Sequence, residues 1–186
     1  DIDIKIKLVK PFIGLSLSKS DIHHIKHDVT LPMNLNDNSV DIYQSEDVFE
    51  HIEYQKLTNV FNEIYRILKI GGLFRLSIPD YRCDILYKRS LKDKLGNIYY
   101  DQGGGGSYDY LNNKVINGGH VWFPKYEYVL ELFEKSNFDI SNVNFLHYYD
   151  INNNPIINNI DYTNGHIHRT PNFDKRVQNP IRPMSI

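Results

Sequence analysis

Polar side chains follow two stretches of this 186-residue sequence that have the alternating pattern of β-strands. Ser45 and Glu46 come directly after residues 40–44, and Asp80 comes after residues 74–78. If these strands are parallel, their carboxyl ends meet at one edge of a sheet, which is where open parallel sheets bind ligands. Hydroxyl and carboxylate groups at that edge can hold a polar molecule and accept a proton. We therefore expect a ligand site there.

Histidines form two groups that are close in sequence and raise the question of a metal site. Residues 23–28 contain three of them next to Asp28, and His166 and His168 would share one face of a strand. Imidazole and carboxylate groups bind zinc and related ions. Neither group has the cysteine or His-Glu companions of a known zinc motif, and three histidines on one short turn rarely converge. We therefore expect no metal site, with metal-dependent hydrolysis as a minor alternative.

Composition and motifs narrow the class of protein. With 24% charged and 41% hydrophobic residues, the sequence suits a single globular domain over residues 1–186. The formal net charge of -2 gives no reason to expect a nucleic-acid partner. The sequence contains no G-x-S-x-G, P-loop or C-x-x-C motif, so hydrolase, nucleotide-phosphate and redox functions lack support.

Cysteine usage and hydropathy bear on the compartment. The one cysteine, Cys83, favours a reducing environment. No stretch approaches the length of a membrane span, and residues 1–10 lack the apolar region of a signal peptide. We therefore expect a cytoplasmic protein without a membrane partner, whose oligomeric state stays open.

An amphipathic helix separates the two predicted strands. Lys69 and the pair Gly71-Gly72 indicate its end. A strand, a helix and a strand in this order imply a right-handed crossover between parallel strands. The apolar positions have the spacing of one buried helical face: Leu57, Val60, Phe61, Ile64, Ile67 and Leu68.

The flanking sequence extends the alternation of strands and helices. Residues 12–17 and 25–29 have strand patterns, and a helix begins near Pro124. Residues 138–149 read as a further strand. The pattern predicts an α/β fold with a mostly parallel sheet, helices on both faces and an antiparallel edge near the C-terminus.

The part between these elements is rich in turn residues. Residues 81–94 predict an amphipathic helix, and residues 95–119, which include four consecutive glycines, predict a long flexible loop. A loop that returns to the ligand edge of the sheet can act as a lid.

The middle third of the chain resembles S-adenosylmethionine-dependent methyltransferases of the seven-stranded α/β type. This resemblance implies a Rossmann-like fold, S-adenosylmethionine as the cofactor and methyl transfer to a small-molecule or carbohydrate acceptor. The residues that carry the resemblance are Asp37, Asp41, Glu50-His51-Ile52, Glu63, Arg66, Leu68, Lys69, Gly71-Gly72 and Pro79-Asp80.

The sequence departs from this family at the start of the domain. The family's first strand ends in a G-x-G-x-G-like loop, which no segment upstream of residue 12 contains. Ser16 and Ser18 stand where the family has an acidic residue for the cofactor ribose. Either the sequence begins after the glycine loop or the protein has lost it. A degenerate, non-catalytic scaffold or partner subunit is therefore the alternative function.

The resemblance also implies roles for individual residues. The expected cofactor-binding residues are Ser16, Asp28, Val29, Ser45, Glu46 and His51. Two of them have structural alternatives, because Asp28 can cap a turn before Pro32 and His51 can pack beneath the helix.

On the acceptor side, the expected catalytic residues are His120 and Asp80. We expect these two residues to face one cleft, with Glu46 and His51 on its far wall. Trp122 can complete a lid over the acceptor. The tyrosines around the predicted loop (Tyr99, Tyr100, Tyr108 and Tyr110) suit stacking on a sugar ring, although tyrosine also packs ordinary cores.

Overall fold

A strand, a helix and a strand form the centre of the computed structural model, which describes residues 14–16 and 24–186. Strand β3 (Val40–Glu46) leads to helix α1 (Tyr54–Ile67), and strand β4 (Leu68–Ser77) follows directly. β3 and β4 are parallel, with Glu46 opposite Ser77 at their carboxyl ends. The predicted crossover unit is thus confirmed.

The apolar stripe of α1 is buried as its spacing predicts. Phe61 lies between the rings of Phe49 and Phe133, with centroid distances of 5.9 and 4.9 Å. Every apolar position of the stripe within the helix is at most 2% exposed: Leu57, Val60, Phe61, Ile64 and Ile67. Burial of side chains of this size, at about 1.5–3 kcal/mol each, makes this stripe the main anchor of the helix.

The end of α1 differs from the prediction. The helix stops at Ile67, and Leu68 already has an extended backbone. The two glycines lie inside β4, in a bulge where the register with β3 shifts. Gly71 has a φ of +75°, and a Cβ on Gly72 would lie 2.8 Å from the carbonyl oxygen of Lys69. The glycines therefore permit a bulge in the strand and do not cap the helix.

The sheet is less continuous than predicted. Strands β1 (Gly14–Ser16) and β2 (His24–Lys26) form a second parallel pair. Within the described residues the named strands belong to five separate two-stranded sheets. The mixed α/β character and the parallel pairing are confirmed, whereas one mostly parallel sheet is not formed by this part of the chain.

Residues 81–119 contain more strand than predicted. Helix α2 (Asp84–Arg89) spans only six residues, and it is followed by the antiparallel pair β5 (Ser90–Lys92) and β6 (Ile98–Asp101). A second antiparallel pair, β7 (Ser107–Asp109) and β8 (Lys114–Ile116), follows. The end of the predicted helix and the predicted loop thus form two β-hairpins joined by a glycine-rich segment.

The C-terminal part has the predicted antiparallel character. After helix α3 (Tyr126–Glu134), strands β9 (His147–Tyr149) and β10 (Pro155–Ile157) pair antiparallel. The backbones of Ile78 and Ile186 exchange hydrogen bonds of 3.2 and 2.8 Å. The last residues therefore lie against the turn that follows β4.

One buried side chain ties the segment before α3 to the turn after β3. The indole nitrogen of Trp122 donates to the carbonyl oxygen of Phe49 at 2.9 Å, and the ring packs on Tyr54 at 4.9 Å.

Among the helices of the described residues, none combines the length and the apolar character that crossing a membrane requires.

Candidate functional site

A cavity of about 350 Å³ lies at the carboxyl ends of β3 and β4. This is the edge at which the strand-end residues predict a ligand site. Its wall comes from the turn after β3, from Pro79 after β4, from the glycines that join the two hairpins, and from the C-terminal segment. The polar side chains that line it are Asp47, Glu50, His51, Arg89, His120, Arg169 and Arg176.

Glu50 is the most unusual residue of this cavity. It lies in a single 3-10 turn, Phe49–His51, and its side chain points inward with no exposed surface. Neither carboxylate oxygen has a hydrogen-bond partner among the described residues. Burial raises the pKa of Glu50 to about 8. A buried carboxyl group with both oxygens unsatisfied costs free energy, and it is the kind of group that a ligand satisfies.

Two histidines converge on this carboxyl group. The Nε2 atom of His120 lies 3.7 Å from Glu50 Oε1, and the Nε2 atom of His51 lies 3.9 Å from the same oxygen. The two imidazole rings meet edge to face, with centroids 4.7 Å apart. The cluster thus combines two residues that are adjacent in sequence, Glu50 and His51, with His120, which is about 70 positions away.

His120 is held by a chain of buried polar groups. Its Nδ1 atom contacts the hydroxyl of Tyr81, which donates to Asp101 Oδ2 at 2.6 Å. Arg89 donates to both oxygens of Asp101 at 2.7 and 2.6 Å. Burial and the neighbouring His51 lower the pKa of His120 to about 4, so its imidazole is neutral at pH 7.

Asp101 is the charged end of this chain. It is 1% exposed, and burial favours its protonated form. The hydrogen bonds from Arg89 and Tyr81 outweigh burial, so the pKa of Asp101 is lowered. Its carboxylate is therefore ionised and accepts the hydrogen bond from the Tyr81 hydroxyl.

The orientation of the His51 ring is fixed by a hydrogen bond to a backbone carbonyl. Its Nδ1 atom lies 2.8 Å from the carbonyl oxygen of Gly118. Because a carbonyl only accepts hydrogen bonds, Nδ1 carries the proton. The predicted alternative of packing beneath the helix does not apply, because 34% of the His51 side chain is exposed and its ring lines the cavity.

Two of the cofactor residues expected near the first two strands, Asp28 and Val29, do not line the cavity. Ser16 ends β1, and its side chain is outside the described part, as is all of Ser18. The Asp28 Oδ1 atom accepts hydrogen bonds from the Thr30 N–H and hydroxyl at 2.9 and 2.8 Å, which lower its pKa. Asp28 therefore caps a turn, and its neighbour Val29 packs on the core.

The two cofactor-binding residues expected at the end of β3, Ser45 and Glu46, have different environments. Ser45 is buried, and its hydroxyl has no hydrogen-bond partner among the described residues. Glu46 accepts from the side chain of Gln44 at 2.6 Å and from the Arg169 N–H at 3.0 Å. The prediction that Glu46 forms the far wall of the cleft is corrected, because this wall is formed by Asp47, Glu50 and His51.

Asp80 does not share the cavity with His120, which corrects the predicted common cleft. Its carboxylate is fully buried and accepts from the backbone N–H groups of Arg82 and Tyr149 at 2.9 and 2.8 Å. Burial raises its pKa to about 6. With these contacts, Asp80 stabilises the turn after β4.

Other side chains singled out from the sequence also lie off the cavity wall. The ring of Tyr108 packs against Tyr99 and Tyr110 at 4.9 and 5.0 Å, so these tyrosines contact one another across the hairpins. His166 and His168 have ring centroids 6.2 Å apart. The histidines of residues 23–28 fall partly outside the described residues.

Several residues of the site carry no signal in the sequence. Glu50 is recognisable as part of a family landmark but not as a buried side chain that faces a cavity. Tyr81, Arg89 and Asp101 come from three different elements, and only the fold brings them to His120. An acidic residue two positions before a glycine run was the one available hint of Asp101.

Comparison with known families supports the resemblance on which the assignment depends. Residues 6–76 match the family model described as the methyltransferase domain. The match includes β3, α1 and nearly all of β4, and it supports the resemblance of this part of the chain to methyltransferases. No curated protein and no solved structure matches the chain.

Proposed function

We propose that the protein transfers a methyl group from S-adenosylmethionine to a small-molecule or carbohydrate acceptor that binds in the cavity beside His120. One observation carries the proposal: the cavity lies at the carboxyl ends of β3 and β4, within and beside the segment that matches the methyltransferase domain. Open parallel sheets bind their ligands at this edge.

The cofactor side of the proposal depends on the end of β3. The buried Ser45 hydroxyl, near the end of β3, lacks a hydrogen-bond partner among the described residues. Asp28, which is exposed, follows β2. These groups fit a nucleoside with hydroxyl and amino groups. When bound, S-adenosylmethionine supplies a methyl group already activated by a sulfonium, so the residues of the protein chiefly position the acceptor.

The acceptor side depends on the size and polarity of the cavity. A volume of about 350 Å³ is at the lower end of the range for small-molecule sites. His51 and His120 offer ring nitrogens, and Glu50 offers oxygens that no described residue satisfies. A compact acceptor with several hydroxyl groups, such as one sugar ring, matches this wall better than an apolar molecule.

Calorimetric titration with S-adenosylhomocysteine tests the cofactor. We expect saturable binding at one site per chain, which Ser45→Ala weakens. Ser77→Ala is a matched control, because Ser77 is also buried with an unpartnered hydroxyl, at the end of the neighbouring strand. A folded protein that shows no binding would favour the scaffold alternative.

Transfer itself is tested with a labelled methyl group and a panel of sugars and small polyols. Labelled product from the wild type would support the acceptor assignment. Cofactor binding without transfer to any member of the panel would support the cofactor assignment and reject the proposed class of acceptor.

A further inference from the structure

We propose that Glu50, His51 and His120 bind a divalent first-row transition-metal cation, contrary to the expectation from the sequence that no metal site exists. Each of these residues offers one ligand atom, and the three atoms lie within 4.8 Å of one another. Two imidazoles and one carboxylate are a donor set that zinc, iron and related ions prefer.

The first observation behind this proposal is the state of the Glu50 carboxyl group. It is fully buried, and within the part of the chain that the structure describes neither oxygen accepts or donates a hydrogen bond. Protonation alone would leave both oxygens unsatisfied. A cation coordinated by one oxygen would compensate for the burial, since buried charges are normally paired or coordinate metals.

The second observation is that both histidines present an unprotonated nitrogen to this carboxyl group. His51 must donate its Nδ1 proton to the Gly118 carbonyl, at 2.8 Å, so the neutral ring has its lone pair on Nε2. That Nε2 atom is the one 3.9 Å from Glu50 Oε1.

His120 is arranged in the same way by different partners. Tyr81 gives its only hydroxyl proton to Asp101, so the Nδ1 atom of His120 must donate to the Tyr81 oxygen. The lone pair then lies on Nε2, which is 3.7 Å from Glu50 Oε1. Metal-binding histidines typically donate their other ring N–H to a carbonyl or carboxylate group in this way.

The spacing of the three atoms suits a cation with only small adjustments. Zinc lies about 2.0–2.2 Å from nitrogen and oxygen ligands, so tetrahedral neighbours are about 3.4 Å apart. The two separations from Glu50 Oε1 are 3.7 and 3.9 Å, and all three ligand atoms lie within 4.8 Å of one another. A bound cation would draw these atoms together, and the 34% exposure of His51 leaves its side chain room to move.

Three protein ligands leave at least one coordination position for another molecule. All three residues line the cavity, so that position faces the space assigned to the acceptor. The inference therefore deepens the proposed function at the same site, while cation binding can be measured without methyl transfer.

The test is to titrate the metal-free, full chain with Zn²⁺. Calorimetry measures the binding, and thermal unfolding measures its effect on stability. We expect one Zn²⁺ per chain and a raised unfolding midpoint. Glu50→Gln, which keeps the shape of the side chain, and His51→Gln, which changes a partly exposed residue, should each weaken binding by about 100-fold or more.

Two further variants distinguish Zn²⁺ binding at the proposed site from adventitious binding elsewhere. Tyr81→Phe should weaken Zn²⁺ binding by about 10-fold, because the His120 ring loses the group that orients it. A His166→Gln/His168→Gln double variant, which removes a histidine pair far from Glu50 in sequence, should bind Zn²⁺ like the wild type.

Several results would overturn the proposal. These are a folded wild type that does not bind Zn²⁺, binding that Glu50→Gln and His51→Gln leave unchanged, or binding lost only in the double variant. Intact Zn²⁺ binding together with failed binding of S-adenosylhomocysteine would reject the proposed function alone. The reverse pair of results would reject the cation site alone.

Discussion

The carboxylate of Asp80 accepts a hydrogen bond from the backbone N–H of Tyr149 at 2.8 Å, across 69 positions of the sequence. It thereby joins the turn after β4 to β9. We expect Asp80→Ala to lower the free energy of unfolding by about 2–4 kcal/mol, because two backbone N–H groups lose their acceptor. Urea denaturation measures this loss. Asp84→Ala is the control: Asp84 is half exposed and its contacts are ion pairs with Lys88 and Arg182, so its replacement should cost about 1 kcal/mol or less.

The same residue predicts a dependence of stability on pH. Burial raises the pKa of Asp80 to about 6, above its ordinary value of 3.8. Between these values the folded protein binds more protons than the unfolded chain, so the contribution of Asp80 to stability is lost as pH rises. A two-unit difference corresponds to roughly 3 kcal/mol. Denaturation of wild type and Asp80→Asn from pH 4 to 7 should show the wild type declining relative to the variant. A constant difference would mean that Asp80 titrates normally.

Arg66 should be the most important surface-facing residue of α1. It donates to both oxygens of Glu63 at 2.9 and 2.6 Å and to the carbonyl oxygens of Met33 and Leu35 at 3.0 and 2.8 Å. We expect Arg66→Gln to cost about 1–3 kcal/mol, because these carbonyls lose a charged donor. Lys69→Gln is the comparison, since it removes an exposed ion pair and should cost about 1 kcal/mol or less. Equal costs would show that the Arg66 network contributes no more than a surface pair.

Gly104 should be sensitive to the addition of a single methyl group. A Cβ at this position would lie 2.7 Å from Cγ of His120, so the ring must shift. We expect Gly104→Ala to reduce methyl transfer strongly while the protein stays folded. Gly103→Ala is a neighbouring control whose Cβ would instead meet the Arg89 guanidinium at 2.8 Å. Transfer rates should fall more for Gly104→Ala, and the opposite order would place the functional group at Arg89.

His120→Ala should separate turnover from cofactor affinity. His120 lines the cavity assigned to the acceptor, whereas the expected cofactor group Ser45 lies outside the cavity wall. Turnover should therefore fall by a larger factor than affinity for S-adenosylhomocysteine, as steady-state kinetics and calorimetry can measure. An equal loss of both would indicate that His120 only supports the fold.

The central unit was predictable because its signals are local. The helical stripe from Leu57 to Ile67 and the alternation around Phe74 each lie within one element, so periodicity suffices to find them. The family landmarks Glu63 and Arg66 are explained by structure: they hold the backbone at Met33 and Leu35 against the helix.

The hairpins at residues 90–116 were not predictable in the same way. Their strands have three or four residues, too few to establish a period of two. Turns that need a positive φ, at Asn113, Asn117 and Gly118, read in the sequence only as a polar, glycine-rich loop. Pairing between short strands is a tertiary property, and composition does not reveal it.

The position of the cavity is easier to predict from the sequence than the side chains that line it. The strand ends indicate the edge at which the cavity lies, because that edge follows from parallel topology. Whether a side chain turns inward depends on the 3-10 turn that buries Glu50 and on partners such as Asp101, about 50 positions away in sequence. Asp80, by contrast, accepts hydrogen bonds from two backbone N–H groups, and no sequence motif predicts these contacts.

Trp122 is the only tryptophan in the sequence, and its indole donates to the carbonyl of Phe49, the residue directly before Glu50. The tryptophan fluorescence of the protein therefore originates from one buried ring beside the turn that carries Glu50. A shift of its emission maximum during ligand titration would report rearrangement of the turn at residues 49–51 in solution, without any attached label.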